Sequence, residues 1–123
     1  MAKRIVIREL EPLEIVFKDK VLTCLLNNDA LVLMDETYGD INELIKKEKD
    51  RPYDFASKLL YCGVKVNQTD FEYETAQRIV MSGGLSIIGE LLENFMENFF
   101  VNATEEQQER YLGEMQRLLK NLK

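Results

Sequence analysis

The chain has no histidine and no tryptophan, and its 123 residues include only two cysteines and two prolines. Without histidine it lacks the commonest general base, the commonest neutral metal ligand and the usual partner of a serine or cysteine nucleophile. The cysteines, Cys24 and Cys62, stand far apart and form no Cys-x-x-Cys pair. They read as two buried thiols in a reducing compartment, not as a disulfide framework. Cys24 lies in an apolar run, where burial raises a thiol's pKa, and Cys62 precedes Gly63 near an expected helix end, where the dipole disfavours a thiolate. A catalytic cysteine is therefore not expected, and neither is an enzyme or a cofactor.

Long apolar runs are missing too. No stretch reaches the roughly 18 apolar residues of a membrane span, and residues 1–9 carry charge too early for the apolar region of a signal peptide. A cytoplasmic protein is the expectation. Positive charge is in deficit, with 16 Lys and Arg against 22 Asp and Glu and a net charge of −6. A duplex binder draws most of its affinity from neutralised phosphates, so nucleic acid is a poor partner for this chain. A basic protein is not.

What is present is an ordinary core and a helical pattern. The hydrophobic share is 46% and the length is that of one domain, residues 1–123. The fold class expected is mainly α: a small N-terminal β-hairpin or three-stranded sheet (1–26), then a compact bundle of about five to six helices (27–123). Residues 3–9 alternate, with Ile5 and Ile7 on one side and Arg4, Val6 and Arg8 on the other, as a strand or extended arm would. Residues 13–17 and 21–26 are two more apolar, partly β-branched runs, joined by Lys18-Asp19-Lys20 without the Asn-Gly or Asp-Gly that marks a firm hairpin turn.

Helix signals follow in order. Asn27, Asn28 and Asp29 offer an N-cap for a helix over 30–38, which Gly39 ends. Asp40 with Glu43 reads as a capping box for 41–47, and Thr69 with Glu72 as another for 70–81. Between them, 53–62 carries Phe55, Leu59 and Cys62 on one face, with Gly63 placed to end it. Ser82-Gly83-Gly84 breaks the pattern before a widely apolar helix over 85–101, and Thr104 with Gln107 opens a last helix over 105–122.

Two groups on this pattern could carry chemistry. Glu90, Glu93 and Glu97 share one helix face and could hold a hard cation, but they alternate with Asn94 and Asn98 opposite the apolar stripe, which makes them a solvated face. Ser82-Gly83-Gly84 could offer backbone N–H groups to an anion, yet no P-loop lysine or preceding strand accompanies it. No metal ligand set emerges.

The order of these signals resembles that of the tail assembly chaperones of long-tailed phages and prophages of Gram-positive bacteria. The residues that carry it are the strand pair at 13–22, the helix Ala30-Leu31-Val32-Leu33-Met34-Asp35-Glu36-Thr37-Tyr38-Gly39, the segment Asp54-Phe55-Ala56-Ser57-Lys58-Leu59-Leu60-Tyr61-Cys62-Gly63, and the polar-capped helices after it, over roughly 13–102. The resemblance is one of pattern and size and supplies no catalytic residue. It implies a non-enzymatic protein of the host cytoplasm that coats the long, helical tape-measure protein, keeps it soluble and helps recruit tail-tube subunits. It leaves self-association open. Exposed apolar helix faces would serve such a role, and the candidate partner-binding residues are Leu92, Phe95, Met96, Phe99 and Phe100 on one helix with Met115 and Leu119 on the last. The alternative is a small acidic regulator that binds and inhibits a basic, DNA-binding protein.

Overall fold

Apolar residues at alternating positions, Leu13, Ile15 and Phe17 against Leu22 and Cys24, give the first element a buried and an exposed side. The computed structural model describes residue 4 and residues 11–100, without the side chains of Asn42, Phe99 and Phe100. In it, β1 (Leu13–Phe17) pairs antiparallel with β2 (Lys20–Cys24), with Ile15 opposite Leu22 and Phe17 opposite Lys20. Only Lys18 and Asp19 lie between the strands, both at positive φ (51° and 64°). That is the type I′ geometry, whose twist matches the strands it joins. The sequence obtains it without glycine because Asp tolerates the left-handed region and the Lys18 ammonium lies 5.5 Å from the Phe17 ring centroid. Asp19→Gly, which removes the Cβ strain at the second turn position, is expected to stabilise the protein by about 0.5–1 kcal/mol. A rise in the urea midpoint at unchanged m-value checks it.

Four helices follow: α1 (Asn28–Tyr38), α2 (Ile41–Glu48), α3 (Pro52–Lys65) and α4 (Tyr73–Phe100). Asn27 caps α1 as expected, its side-chain oxygen accepting from the Ala30 N–H at 3.0 Å. Gly39 closes α1 with φ at 88° and donates its N–H to the Asp35 carbonyl. Helix α2 begins where the capping-box pattern put it, and Pro52 occupies the first turn of α3, where its missing N–H costs nothing.

Three expectations need correction. Among the described residues there are four helices, not five to six, while the β element is the hairpin, the first of the two forms expected. The extended stretch at 3–9 and the last helix at 105–122 lie outside the described residues. The break expected at Ser82-Gly83-Gly84 is present as a kink: Gly84 alone leaves helical geometry (φ 61°, ψ −144°), with a helical segment on either side, both within α4. Helix α4 also starts later than Thr69 and Glu72 suggested, because Phe71, buried to 4% exposure, holds the preceding turn against the body. Finally, α3 runs past Gly63 to Lys65.

The core sits where α3 meets α4. Phe55, Leu59 and Leu60 of α3 pack with Ile88, Leu91, Leu92 and Phe95 of α4, all at or below 1% exposure, and the Phe55 and Phe95 rings meet edge to face at 6.2 Å. Burying one such side chain contributes roughly 1.5–3 kcal/mol. The hairpin's inner face, Ile15, Leu22 and Cys24, and Met34 of α1 join the same cluster. Beta-strand β2 lies on α3, with the Leu25 N–H donating to the Gly63 carbonyl at 3.0 Å.

Candidate docking surface

A surface that could bind another protein must expose apolar side chains that the chain's own core does not need. Among the described residues, the large apolar side chains that stand out are Val16 (72% exposed), Val21 (62%), Met81 (69%) and Leu85 (54%), with Val32 and Tyr53 less so. The first four fall on two neighbouring elements. Val16 and Val21 are cross-strand partners on the outer face of the hairpin, and Met81 and Leu85 bracket the Gly84 kink in α4. Between these elements runs a groove of about 280 Å³, with Ile15, Val16 and Phe17 on one wall and Ile79, Gly83 and Ile87 on the other. The hairpin and the first half of α4 thus leave apolar surface open between them.

The kink is what shapes this end of the molecule. A straight helix would carry the face of Ala76, Ile79 and Val80 onward in register with α3. Gly84 instead redirects it, so Ile88, Leu91, Leu92 and Phe95 restart the buried stripe while Met81 and Leu85 turn outward. A second, smaller cleft of about 170 Å³ opens on the other side of Phe17, toward Phe71, with Asp70, Glu72 and Lys20 at its rim.

The candidate residues of the sequence fall elsewhere. Leu92 and Phe95 are fully buried core residues, at 0% and 1% exposure, and Met96 is half-buried against the same cluster. The side chains of Phe99 and Phe100, and all of Met115 and Leu119, lie outside the described residues. The hairpin's outer valines gave a visible signal, an alternation of Glu14, Val16 and Val21, Thr23 on one face. Helical periodicity hid Met81 and Leu85, because it marks which side chains could be buried and not which of them the fold covers.

Among the described residues, several polar or titratable groups are buried or partly buried. Glu48, at 3% exposure, pairs with Lys58, whose ammonium also lies 5.4 Å from the Tyr38 ring centroid. Glu48 Oε2 is buried and accepts no hydrogen bond from any described residue. Burial, and after it the Asp54 and Glu48 carboxylates, hold the Tyr73 phenol above its usual value. Burial likewise pushes both thiols up to about 12, with Cys62 adding to the effect on Cys24. Such thiols are protonated and poor nucleophiles. At the far end of α4, buried Asn94 and its neighbour Asn98 both donate side-chain N–H groups to the Glu11 carbonyl, at 3.1 and 3.4 Å. No group of three or more metal-ligating side chains occurs among the described residues. Glu90, Glu93 and Glu97 are exposed, as a solvated face requires.

Because α4 continues through Gly84, it meets a test that its two halves do not. Tyr73–Asn98 is, among the described residues, the one helix long and apolar enough to cross a membrane, with a mean hydropathy of 1.2. Its Ile88-to-Phe95 stripe packs on α3, which is the usual reason a core helix has that composition. No family model, curated protein or solved structure matches this chain.

Proposed function

We propose that this chain is a non-enzymatic tail assembly chaperone of a long-tailed phage or prophage, acting in the bacterial cytoplasm on the tape-measure protein and assisting tail-tube assembly. The observation that carries the reading is the apolar groove between β1 and α4, lined by Ile15, Val16, Phe17, Ile79 and Ile87, together with the exposed side chains of Val21, Met81 and Leu85 on the hairpin and on α4. A long helical protein awaiting assembly exposes apolar stripes, and a complementary apolar face shields them. Methionine at position 81 suits repeated, inexact sites, since its thioether stem adapts its shape. Soluble monomers rarely display contiguous apolar patches beyond a few hundred Å² without a partner for them.

Co-expression with the tape-measure protein tests the reading. The expected result is co-purification and a soluble tape-measure protein, both lost on combined Val16→Ser, Val21→Ser, Met81→Ser and Leu85→Ser replacement while the chain itself stays folded. A tape-measure protein equally insoluble with and without the chain would sink it. The exposed Glu90, Glu93 and Glu97 favour one other reading, an acidic inhibitor of a basic DNA-binding protein. It predicts binding to a basic partner that weakens steeply with salt, whereas the apolar face predicts weak salt dependence.

A further inference from the structure

We propose that a second copy of this chain pairs with the outer edge of β1, strand against antiparallel strand, about a two-fold axis at Val16. The hairpin's own hydrogen bonding sets up the edge. A two-residue turn makes Phe17 and Lys20 a hydrogen-bonded pair, and the antiparallel pattern alternates from there. Leu13 and Ile15 therefore bond toward β2, and the N–H and C=O groups of Glu14 and Val16 point away from it. Among the described residues no strand takes these groups up. Edges of this kind template the addition of another strand. Strand β2 lies on α3, so the outer edge of β1 is the one that borders the groove beside α4. On that wall α4 presents Ser82 and Gly83, whose small size leaves room beside β1, together with the apolar side chains of Ile79 and Ile87.

The occupant is a second copy because the strand complements itself. Residues 14–18 read Glu-Ile-Val-Phe-Lys, an apolar centre between opposite charges, and both Glu14 and Lys18 are exposed. Antiparallel pairing across a two-fold axis sets a strand against its own reverse. With Val16 opposite its own copy, Ile15 meets Phe17 and Glu14 meets Lys18, each twice. Directly opposed pairs of unlike charge, or of an aromatic with a β-branched residue, stabilise a sheet, and like charges destabilise it. The neighbouring registers that keep the edge groups facing each other are worse. An axis at Glu14 opposes two carboxylates. An axis at Ile15 sets Glu14 against Val16 and brings Pro12, which has no N–H to donate, opposite Lys18. At the Val16 axis each Val16 N–H donates to the other copy's Val16 carbonyl, and the two hairpins make one four-stranded sheet. An edge of five residues is small against the roughly 1,200 Å² of a stable interface, so this dimer forms and parts with concentration. The inference rests on the edge and not on the proposed function. A dimer of this kind fills the groove, so self-association and partner binding there exclude one another.

Sedimentation of the full chain over a concentration series tests it, with amide exchange followed by NMR. A monomer–dimer equilibrium is expected, in which the Val16 amide exchanges at least tenfold more slowly at dimer-forming concentration than in dilute solution. Glu14→Lys and Lys18→Glu should each weaken self-association at least tenfold, since like charges then face each other at both ends of the pairing. An equimolar mixture of the two variants should dimerise again, because an edge of one sign then meets an edge of the other. The Leu22 amide, bonded within the hairpin, should stay protected in both variants and so reports that they are folded. A chain that is monomeric at millimolar concentration overturns the proposal, as does a dimer that both variants leave intact. A Val16 amide equally protected at every concentration overturns it too, assigning the edge to a contact within one copy. A mixture that stays monomeric while each variant is folded overturns the register.

Discussion

Gly63→Ala is expected to destabilise the protein by about 3 kcal/mol, although alanine is the better helix former by about 1 kcal/mol. Gly63 lies inside α3 in helical geometry, so the backbone has no objection to a side chain. The obstacle is β2 and the residues after it. A Cβ at this position would clash with Cys24 Sγ and stand 3.0 Å from Leu26 Cδ2. Both neighbours are buried, at 0% and 2% exposure, and the Leu25 N–H to Gly63 carbonyl bond holds the two backbones together. The added methyl must displace packed side chains or part that bond, and overpacking a tight core costs typically 1–3 kcal/mol, occasionally more. The double variant Gly63→Ala, Cys24→Ala locates the effect. Removing the sulfur makes room, so the pair should be about 2 kcal/mol more stable than the sum of the single changes. Urea unfolding of the four proteins measures this. An additive pair, or a Gly63→Ala protein as stable as the parent, would mean the hairpin does not sit on α3 at this point.

The same glycine shows what the sequence could and could not convey. Gly39, Gly63 and Gly84 all read as helix punctuation, yet each serves a different end. Gly39 closes α1 at positive φ, Gly84 bends α4 without ending it, and Gly63 is there because β2 comes too close for any side chain. Conformational need is a local property and shows in spacing and caps, which is why α1, α2 and the start of α3 fall within two residues of their expected places. Close approach is a tertiary property and leaves no local trace. The turn at Lys18-Asp19 failed in the opposite sense, since a type I′ turn formed without the residues that advertise one.

The exposed apolar surface was hidden for a related reason. Apolar periodicity identifies which side chains could be buried, and Leu92 and Phe95 carry the strongest pattern because they are the core. An exposed apolar residue is conspicuous only against its neighbours in space. Met81 closes the helix expected over 70–81 and Leu85 opens the apolar stripe expected over 85–101, and the structure leaves both exposed on either side of the Gly84 kink.

Lys58→Met is expected to cost about 3–5 kcal/mol, a large fraction of the stability of a domain this size. Lys58 of α3 pairs with Glu48, the last residue of α2, and lies against the ring of Tyr38 at the end of α1. One ammonium thus ties three helices together. Glu48 is nearly inaccessible, its second oxygen already has no hydrogen-bond partner among the described residues, and a carboxylate at a helix C-terminus opposes the helix dipole. Methionine keeps the stem's packing but withdraws the counter-charge, leaving a buried anion without compensation. The pair itself need not be favourable, because desolvating two ions offsets most of their attraction. Replacing both, as Glu48→Leu with Lys58→Met, should therefore return the protein to within about 1 kcal/mol of the parent or above it. The coupling between the two sites in that cycle is the measurement that decides. A Lys58→Met protein within about 1 kcal/mol of the parent would show that Glu48 reaches water and that the three helix ends are held by packing alone.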